Sequence, residues 1–162
     1  MSKENIIDKD RILGFESSSD KISDEEYKLI KEKIDSFLET QSPKQKIENR
    51  ILALKYKMED YIEQKEPEKI LFVGGLIREL LDIINIKDKT FAEYIGFSKY
   101  DFSKLLNGKR KINGDLAIKL GQIFKIKPNL WIEIEIKNEL FFLEKEKKNE
   151  YKKYSLDDLI KI

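Results

Sequence analysis

The chain has 162 residues, a length that suits one ordinary domain or two small ones. Charged residues make up 39% of it, against about 25% in average globular proteins, which favours long solvated helices around a modest core. Lys and Arg number 32 and Asp and Glu number 31, so the net charge is +1, which by itself argues against a polycation that simply coats nucleic acid.

The missing residue types exclude several kinds of site. The chain has no cysteine and no histidine, so it lacks disulfides, thiolate ligands, the usual zinc ligand and the usual general base. Catalysis would rest on carboxylates, lysines or tyrosines alone, and we therefore expect no enzymatic activity, no cofactor and no metal. No apolar stretch approaches the roughly 20 residues of a membrane span, and residues 1–10 do not resemble a signal peptide. We expect a cytoplasmic protein without membrane contact.

The chain begins with a segment that shows no sustained periodicity. Residues 1–22 contain the polar run 17–20 and are predicted to be a flexible leader. Ser23 and Glu26 then form a capping box, which predicts a helix that ends near Glu39. Its apolar stripe consists of Tyr27, Ile30, Ile34, Phe37 and Leu38.

A second amphipathic helix is predicted directly afterwards. Ser42 is its cap, Pro43 its first residue and Gln45 completes the capping box, and the helix ends near Gln64. Its stripe consists of Ile47, Ile51, Leu54, Met58, Tyr61 and Ile62. The two helices predict a helical hairpin, whose apolar stripes either pack on each other or serve as a protein-binding surface.

Five shorter helices are predicted after Pro67. Gly96 ends the second of them, Ser98 caps the third, Asn113 caps the fourth and Pro128 opens the fifth. Trp131 falls in register with the apolar face of the fifth helix, so we expect it in the core rather than at a ligand.

The second and third of these helices fit a helix-turn-helix motif. Only residues 96–98 separate them, and the glycine at 96 suits a sharp turn. Ala92, four residues before Gly96, is small enough for a close approach of the two helices. The second helix of such a pair enters the major groove of DNA. Three consecutive cations, 109–111, follow Gly108 and would lie beside that helix, near phosphates.

The sequence from Thr90 to Ile112, with TFAEYIGFS followed by LLNGKRKI, resembles the phage-repressor-like (XRE) helix-turn-helix family. Continued through 115–120 to 128–131, it resembles the HigA-type antitoxins. This resemblance implies a homodimer that binds an inverted-repeat operator in double-stranded DNA and represses its own operon. It also implies neutralisation of a HigB-type toxin, which resembles the RelE class of mRNA endonucleases. The hairpin resembles the N-terminal toxin-binding region of longer HigA proteins.

The resemblance also implies site residues. Ser98 would cap the recognition helix and meet a phosphate, and the other DNA contacts divide into base-facing positions and a backbone-contacting turn. The base-facing positions are Lys99, Tyr100, Ser103 and Lys104; the turn positions are Asn107, Lys109, Arg110 and Lys111. The toxin-binding positions would be Tyr27, Ile30, Ile34 and Phe37.

Three positions depart from the family pattern. Asp88 stands where relatives often have a glutamine that reaches a phosphate, and we expect it to be a helix cap, with Lys87 or Lys89 near the phosphate. Asp101 adds a negative charge to the recognition helix, so it either points away from DNA or accepts from a cytosine amine. Lys127 replaces the polar cap expected before Pro128.

The sequence therefore predicts an all-α fold with a five-helix phage-repressor-like domain after an N-terminal helical hairpin. The predicted segments are a leader at 1–22, the hairpin at 23–66, a linker at 67–73, the helix-turn-helix domain at 74–137 and a charged helical tail at 138–162. The predicted function is an antitoxin and autorepressor, and the alternative is a phage-repressor-like regulator without a toxin partner.

Overall fold

A computed structural model of the chain describes residues 23–160, and the predicted leader at 1–22 lies outside these residues. The described residues form eight α-helices and no strand, which confirms the all-α prediction. The helices are α1 (Asp24–Glu39), α2 (Pro43–Glu63), α3 (Val73–Ile84), α4 (Asp88–Ile95), α5 (Lys99–Leu106), α6 (Gly114–Phe124), α7 (Pro128–Tyr151) and α8 (Leu156–Ile160). The chain divides into two compact units between Gln41 and Ser42.

Helix α1 lies in the first unit and begins at the predicted capping box. The Ser23 hydroxyl accepts a hydrogen bond from the Glu26 backbone N–H at 3.2 Å, and the Glu26 carboxylate accepts one from the Ser23 backbone N–H at 3.1 Å. These bonds satisfy two donors that a helix start leaves without partners. No residue of α1 is buried, so its apolar stripe is exposed.

Helix α2 opens the second unit with the other predicted capping box, in which Ser42 and Gln45 exchange hydrogen bonds. Its stripe is buried at Leu54, Met58 and Tyr61, where α2 packs against α3 and α7. The apolar face of α2 therefore belongs to the core formed with the later helices. This grouping differs from the predicted segment 23–66, whose boundaries stay a prediction.

Helix α7 holds the C-terminal end of α2. The Lys137 ammonium donates to three backbone carbonyls there, those of Tyr61, Ile62 and Gln64. The buried Asn138 accepts from the Tyr61 hydroxyl and donates to the Leu71 carbonyl at 2.7 Å. Helix α7 includes positions 137 and 138 and ends at Tyr151, with non-helical backbone angles at Lys147; the domain boundary between 137 and 138 stays a prediction.

The predicted apolar faces of α3 to α7 form the core of this unit. Phe91 of α4 lies 5.8 Å from the Phe102 ring of α5 and 6.0 Å from the Phe124 ring of α6, centroid to centroid. Trp131 of α7 is fully buried, which confirms its prediction as a core residue. Among residues 23–160, no helix is long and apolar enough to cross a bilayer.

Candidate nucleic-acid interface

Helices α4 and α5 are joined by a sharp turn at the predicted place. Gly96 ends α4 in the left-handed region, with φ of +79°, a conformation that costs glycine no steric penalty. The Phe97 backbone N–H returns to the Ala92 carbonyl at 2.8 Å, and Ala92 itself is buried between the helices. Ser98 then caps α5, because its hydroxyl accepts from the Asp101 N–H at 3.1 Å. The sequence prediction of the caps and turn is confirmed.

Helix α5 separates an apolar inner face from a polar outer face. Phe102, Leu105 and Leu106 are buried in the core. The predicted base-facing residues Lys99, Tyr100 and Ser103 are exposed, and Lys104 is partly exposed. The Lys104 ammonium lies 4.2 Å from the centroid of the Tyr100 ring, so a cation and an aromatic ring form one surface. Such a surface offers hydrogen-bond donors together with an apolar edge, as major-groove readout requires.

The turn after α5 brings the predicted backbone-contacting residues beside the end of that helix. Gly108 has a φ of +72°, and the backbone N–H groups of Lys109 and Arg110 both donate to the Lys104 carbonyl, at 2.8 and 3.2 Å. The turn is therefore closed onto the last turn of α5. Residues 99–111 contain five cations and one acid, a net +4.

The three cations of this turn have different surroundings. The Arg110 guanidinium pairs with the Asp101 carboxylate at 3.3 Å, and the Lys111 ammonium pairs with the Glu139 carboxylate of α7 at 2.6 Å. Within residues 23–160, Lys109 has no ion pair. The Asp101 carboxylate thus has a partner within the protein, and the expectation that it either points away from DNA or accepts from a cytosine amine stays a prediction.

Sequence reasoning missed three residues that support this surface. Arg78 of α3 donates to the side-chain oxygen of Asn107 at 2.8 Å. Glu135 of α7 accepts from the backbone N–H of Ile112 at 3.2 Å, and Glu139 holds Lys111. These partners lie 23 to 29 residues away along the chain, and no local pattern marks them. Only the tertiary packing of α3 and α7 brings them to the turn.

One expected role is corrected at the start of α4. Lys87 occupies the cap position, without a side-chain hydrogen bond to the helix, and Asp88 is the first helical residue. Asp88 is therefore not the cap, although its charge still complements the positive end of the helix dipole. Lys127 likewise precedes α7 without a capping hydrogen bond, because a lysine side chain has no hydrogen-bond acceptor.

The predicted toxin-binding residues all lie on α1. Tyr27 is 56% exposed and Phe37 is 65% exposed, while Ile30 and Ile34 are exposed at 38% and 37%. Helix α1 also carries six acids and three cations. The structure thus presents an apolar stripe on a helix of net negative charge. The described residues contain no cluster of acidic, histidine or cysteine side chains able to hold a metal ion.

Two short helices joined by a glycine turn, with cations on the outer face of the second helix, are the features of a helix-turn-helix. Part of the chain is similar to such proteins. It is 31% identical over 62 residues to YddM, an uncharacterised HTH-type transcriptional regulator of Escherichia coli (strain K12). That match covers 38% of this chain and 66% of YddM, just under two thirds of its length.

A second relative is an uncharacterised HTH-type transcriptional regulator of Haemophilus influenzae, 25% identical over 77 residues, which is 47% of this chain and 72% of the relative. The chain thus has homologues among the HTH-type transcriptional regulators. No family model matches it. A crystal structure of a candidate antidote protein of a plasmid maintenance system from Nostoc punctiforme is 32% identical, with a TM-score of 0.47, over 52% of this chain and 92% of that one.

Proposed function

We propose that this chain is the antitoxin of a type II, HigBA-like toxin–antitoxin pair, which represses its own operon and neutralises an mRNA-endonuclease toxin. In this proposal α3 to α7 form a phage-repressor-like domain that binds double-stranded DNA as a homodimer, and α1 binds the toxin. The observation that carries the DNA-binding part is the exposed cationic face of α5 and its following turn.

In the DNA-binding part of the proposal, the residues of this face have two roles. Lys99 and Tyr100, at the exposed start of α5, are placed as residues at the N-terminus of a recognition helix are, and they would read base edges. Asn107 and the cations 109–111 would contact phosphates, which position the protein and supply most of its salt-dependent affinity. Homology to HTH-type regulators supports the same assignment.

The toxin-binding part depends on α1 and on the resemblance to HigA-type antitoxins. Contiguous exposed apolar side chains, such as the four large ones of this stripe, mark surfaces that bind a partner. The acids around the stripe suit a basic partner, as a protein that binds mRNA would be. The helix would then inhibit the toxin by covering its active site or by pairing with a catalytic cation.

The test is co-expression of the full chain with the product of the adjacent reading frame. The proposal expects a small basic protein there that co-purifies with this chain and stops growth when expressed alone. Phe37→Glu should abolish co-purification, because it puts a charge into the apolar stripe. Leu29→Glu is the matched control, since Leu29 is 56% exposed on α1 but lies off the stripe. If the neighbouring product forms no complex with this chain, the antitoxin assignment is wrong.

A second candidate function is a phage-repressor-like transcriptional regulator without a toxin. The observation that favours it is that both relatives are described as transcriptional regulators and nothing more. In that case α1 would serve a different partner or dimerisation. The co-expression experiment separates the two functions, because both expect DNA binding and only the first expects a toxic neighbour.

A further inference from the structure

The Arg110 guanidinium is held on two sides by the helix-turn-helix. It pairs with the Asp101 carboxylate in the first turn of α5 at 3.3 Å. Its central carbon lies 4.9 Å from the centroid of the Phe97 ring, which belongs to the turn between α4 and α5. Its backbone N–H is fixed to the Lys104 carbonyl. One long side chain thus joins the turn after α5 to the turn before it and to the first turn of α5.

We propose that Asp101 is a positioning residue that fixes Arg110 for one phosphate and thereby raises discrimination between the operator and other DNA. This inference rests on the proposed DNA-binding function. Asp101 acts here through Arg110 and does not contact DNA itself.

The chemistry of the guanidinium makes this possible. Arginine has five N–H donors in a rigid plane. The contact with Asp101 involves one nitrogen, Nη1, so other donors stay available for a phosphate oxygen. Stacking on Phe97 and pairing with Asp101 order the side chain before DNA arrives. Binding of DNA then does not have to order this side chain, so the entropy cost of ordering it does not lower the affinity.

Positioning favours one register of the protein on DNA. A fixed guanidinium meets a phosphate only where the DNA backbone lies at the right place, as it does when α5 is seated in its correct groove position. A mobile Arg110 would reach phosphates in many registers and would strengthen binding to any sequence. Asp101 also removes one unit of positive charge from the surface, which weakens binding to random DNA further.

The pair Lys111–Glu139 provides a matched control on the same turn. It also joins a cation of the turn to a carboxylate, at 2.6 Å, but the carboxylate is on α7 and the cation contacts no aromatic ring among residues 23–160. Glu139→Gln therefore removes the same charge from the same region without releasing Arg110. It should strengthen binding to the operator and to random DNA by equal factors.

The experiment measures the affinity of the full chain for the DNA upstream of its own operon and for shuffled DNA of equal length and composition, by fluorescence anisotropy. The variants are Asp101→Asn, Arg110→Ala, the double variant and Glu139→Gln, with circular dichroism to check that each is folded. Asp101→Asn should tighten binding to shuffled DNA and lower the operator-to-shuffled ratio by about 3- to 10-fold, the equivalent of ordering one long side chain.

In the Arg110→Ala background the same change should leave that ratio unaltered, because there is no guanidinium left to position. An equal fall of the ratio in both backgrounds would overturn the inference, since Asp101 would then act on DNA directly. An unaltered ratio in Asp101→Asn alone would also overturn it. A wild-type chain that binds neither DNA would overturn the proposed function, and this inference with it, before any variant is compared.

Discussion

Gly74 and Gly75 are adjacent in α3, and their surroundings are opposite. A Cβ at Gly74 would lie 2.3 Å from the Leu106 carbonyl oxygen and 2.8 Å from that of Leu105, whereas a Cβ at Gly75 meets nothing within 4 Å. The start of α3 therefore packs directly on the backbone at the end of α5. Only glycine permits this approach, so Gly74 sets the position of the recognition helix on its support.

We predict that alanine at these two positions changes stability in opposite directions. Gly74→Ala should lower the free energy of unfolding by about 1–3 kcal/mol, because a backbone carbonyl must move to admit the methyl group. Gly75→Ala should raise it by about 0.5–1 kcal/mol, because alanine loses less conformational entropy in a helix. Urea denaturation followed by circular dichroism measures both. Equal effects of the two variants would mean that the close approach of α3 and α5 is not present.

Tyr61 gives the protein a predictable response to alkaline pH. Its hydroxyl is buried against Asn138, and this burial raises the pKa of Tyr61 above its ordinary value of 10.0. The folded state therefore holds the proton more tightly than the unfolded state does. The corresponding stabilisation is present at neutral pH and is lost as the pH rises above about 10, where only the unfolded chain readily releases the proton.

We therefore predict a steeper alkaline loss of stability in the wild type than in Tyr61→Phe. At neutral pH the variant should be less stable by about 1–3 kcal/mol, because the Asn138 oxygen loses its donor in a buried place. Urea denaturation at pH 8 and pH 11 gives the slope of the free energy of unfolding against pH for each protein. Subtracting the slope of Tyr61→Phe from that of the wild type removes the titration of lysines, which both proteins share. Parallel slopes would show that folding does not raise the pKa of Tyr61.

At the scale of the element, helix starts are predictable where a side chain makes them. Ser23, Ser42, Ser98 and Asn113 each accept from the backbone of the following turn, as their place in the sequence predicts. The rule depends on local chemistry alone and therefore needs no knowledge of the fold. Helix α3, by contrast, begins after Phe72 without a side-chain cap, and its first turn packs on the backbone of α5 at Gly74.

The two capping boxes allow a matched test of how α1 and α2 contribute to stability. Ser42→Ala should lower the free energy of unfolding by about 1 kcal/mol, because α2 is part of a buried core. Ser23→Ala should leave that value unchanged and only reduce the helical signal, because no residue of α1 is buried. A clear loss of global stability in Ser23→Ala would mean that α1 is integrated into the core.

The contacts that complete the candidate site could not be predicted from sequence. The pattern identified α5 and its cations, because a glycine turn, a serine cap and a run of Lys and Arg are neighbours in the chain. It could not identify Arg78 or Glu139, which reach the turn from distant helices, nor the pairing of Asp101 with Arg110. Side-chain pairing depends on rotamers and on the packing of α3 and α7, and neither has a local signature.

For the whole molecule, the net charge of +1 conceals an uneven distribution. Residues 1–66 hold 13 cations and 16 acids, while residues 99–111 hold five cations and one acid. The near-neutral total therefore does not argue against DNA. It combines a basic helix-turn-helix surface with an acidic N-terminal part, as the proposed pair of partners, DNA and a basic protein, requires.

The proposed homodimer should bind an inverted repeat whose half-site centres lie about 34 Å apart, one turn of DNA, or a multiple of it. If each protomer neutralises about 3 to 4 phosphates, the affinity should fall with salt along a log–log slope of about −5 to −7. Alanine at Lys109, Arg110 and Lys111 together should weaken binding to every sequence and flatten that slope.

The assignment of this face to DNA is tested most directly by this salt dependence, measured with the full chain on the DNA upstream of its own operon and on shuffled DNA of the same length. We predict a preference for the upstream DNA, a slope of about −5 to −7 and a flatter slope in the triple alanine variant. Equal affinity for both DNAs, or a slope that the triple variant leaves unchanged, would contradict the assignment of this face to DNA.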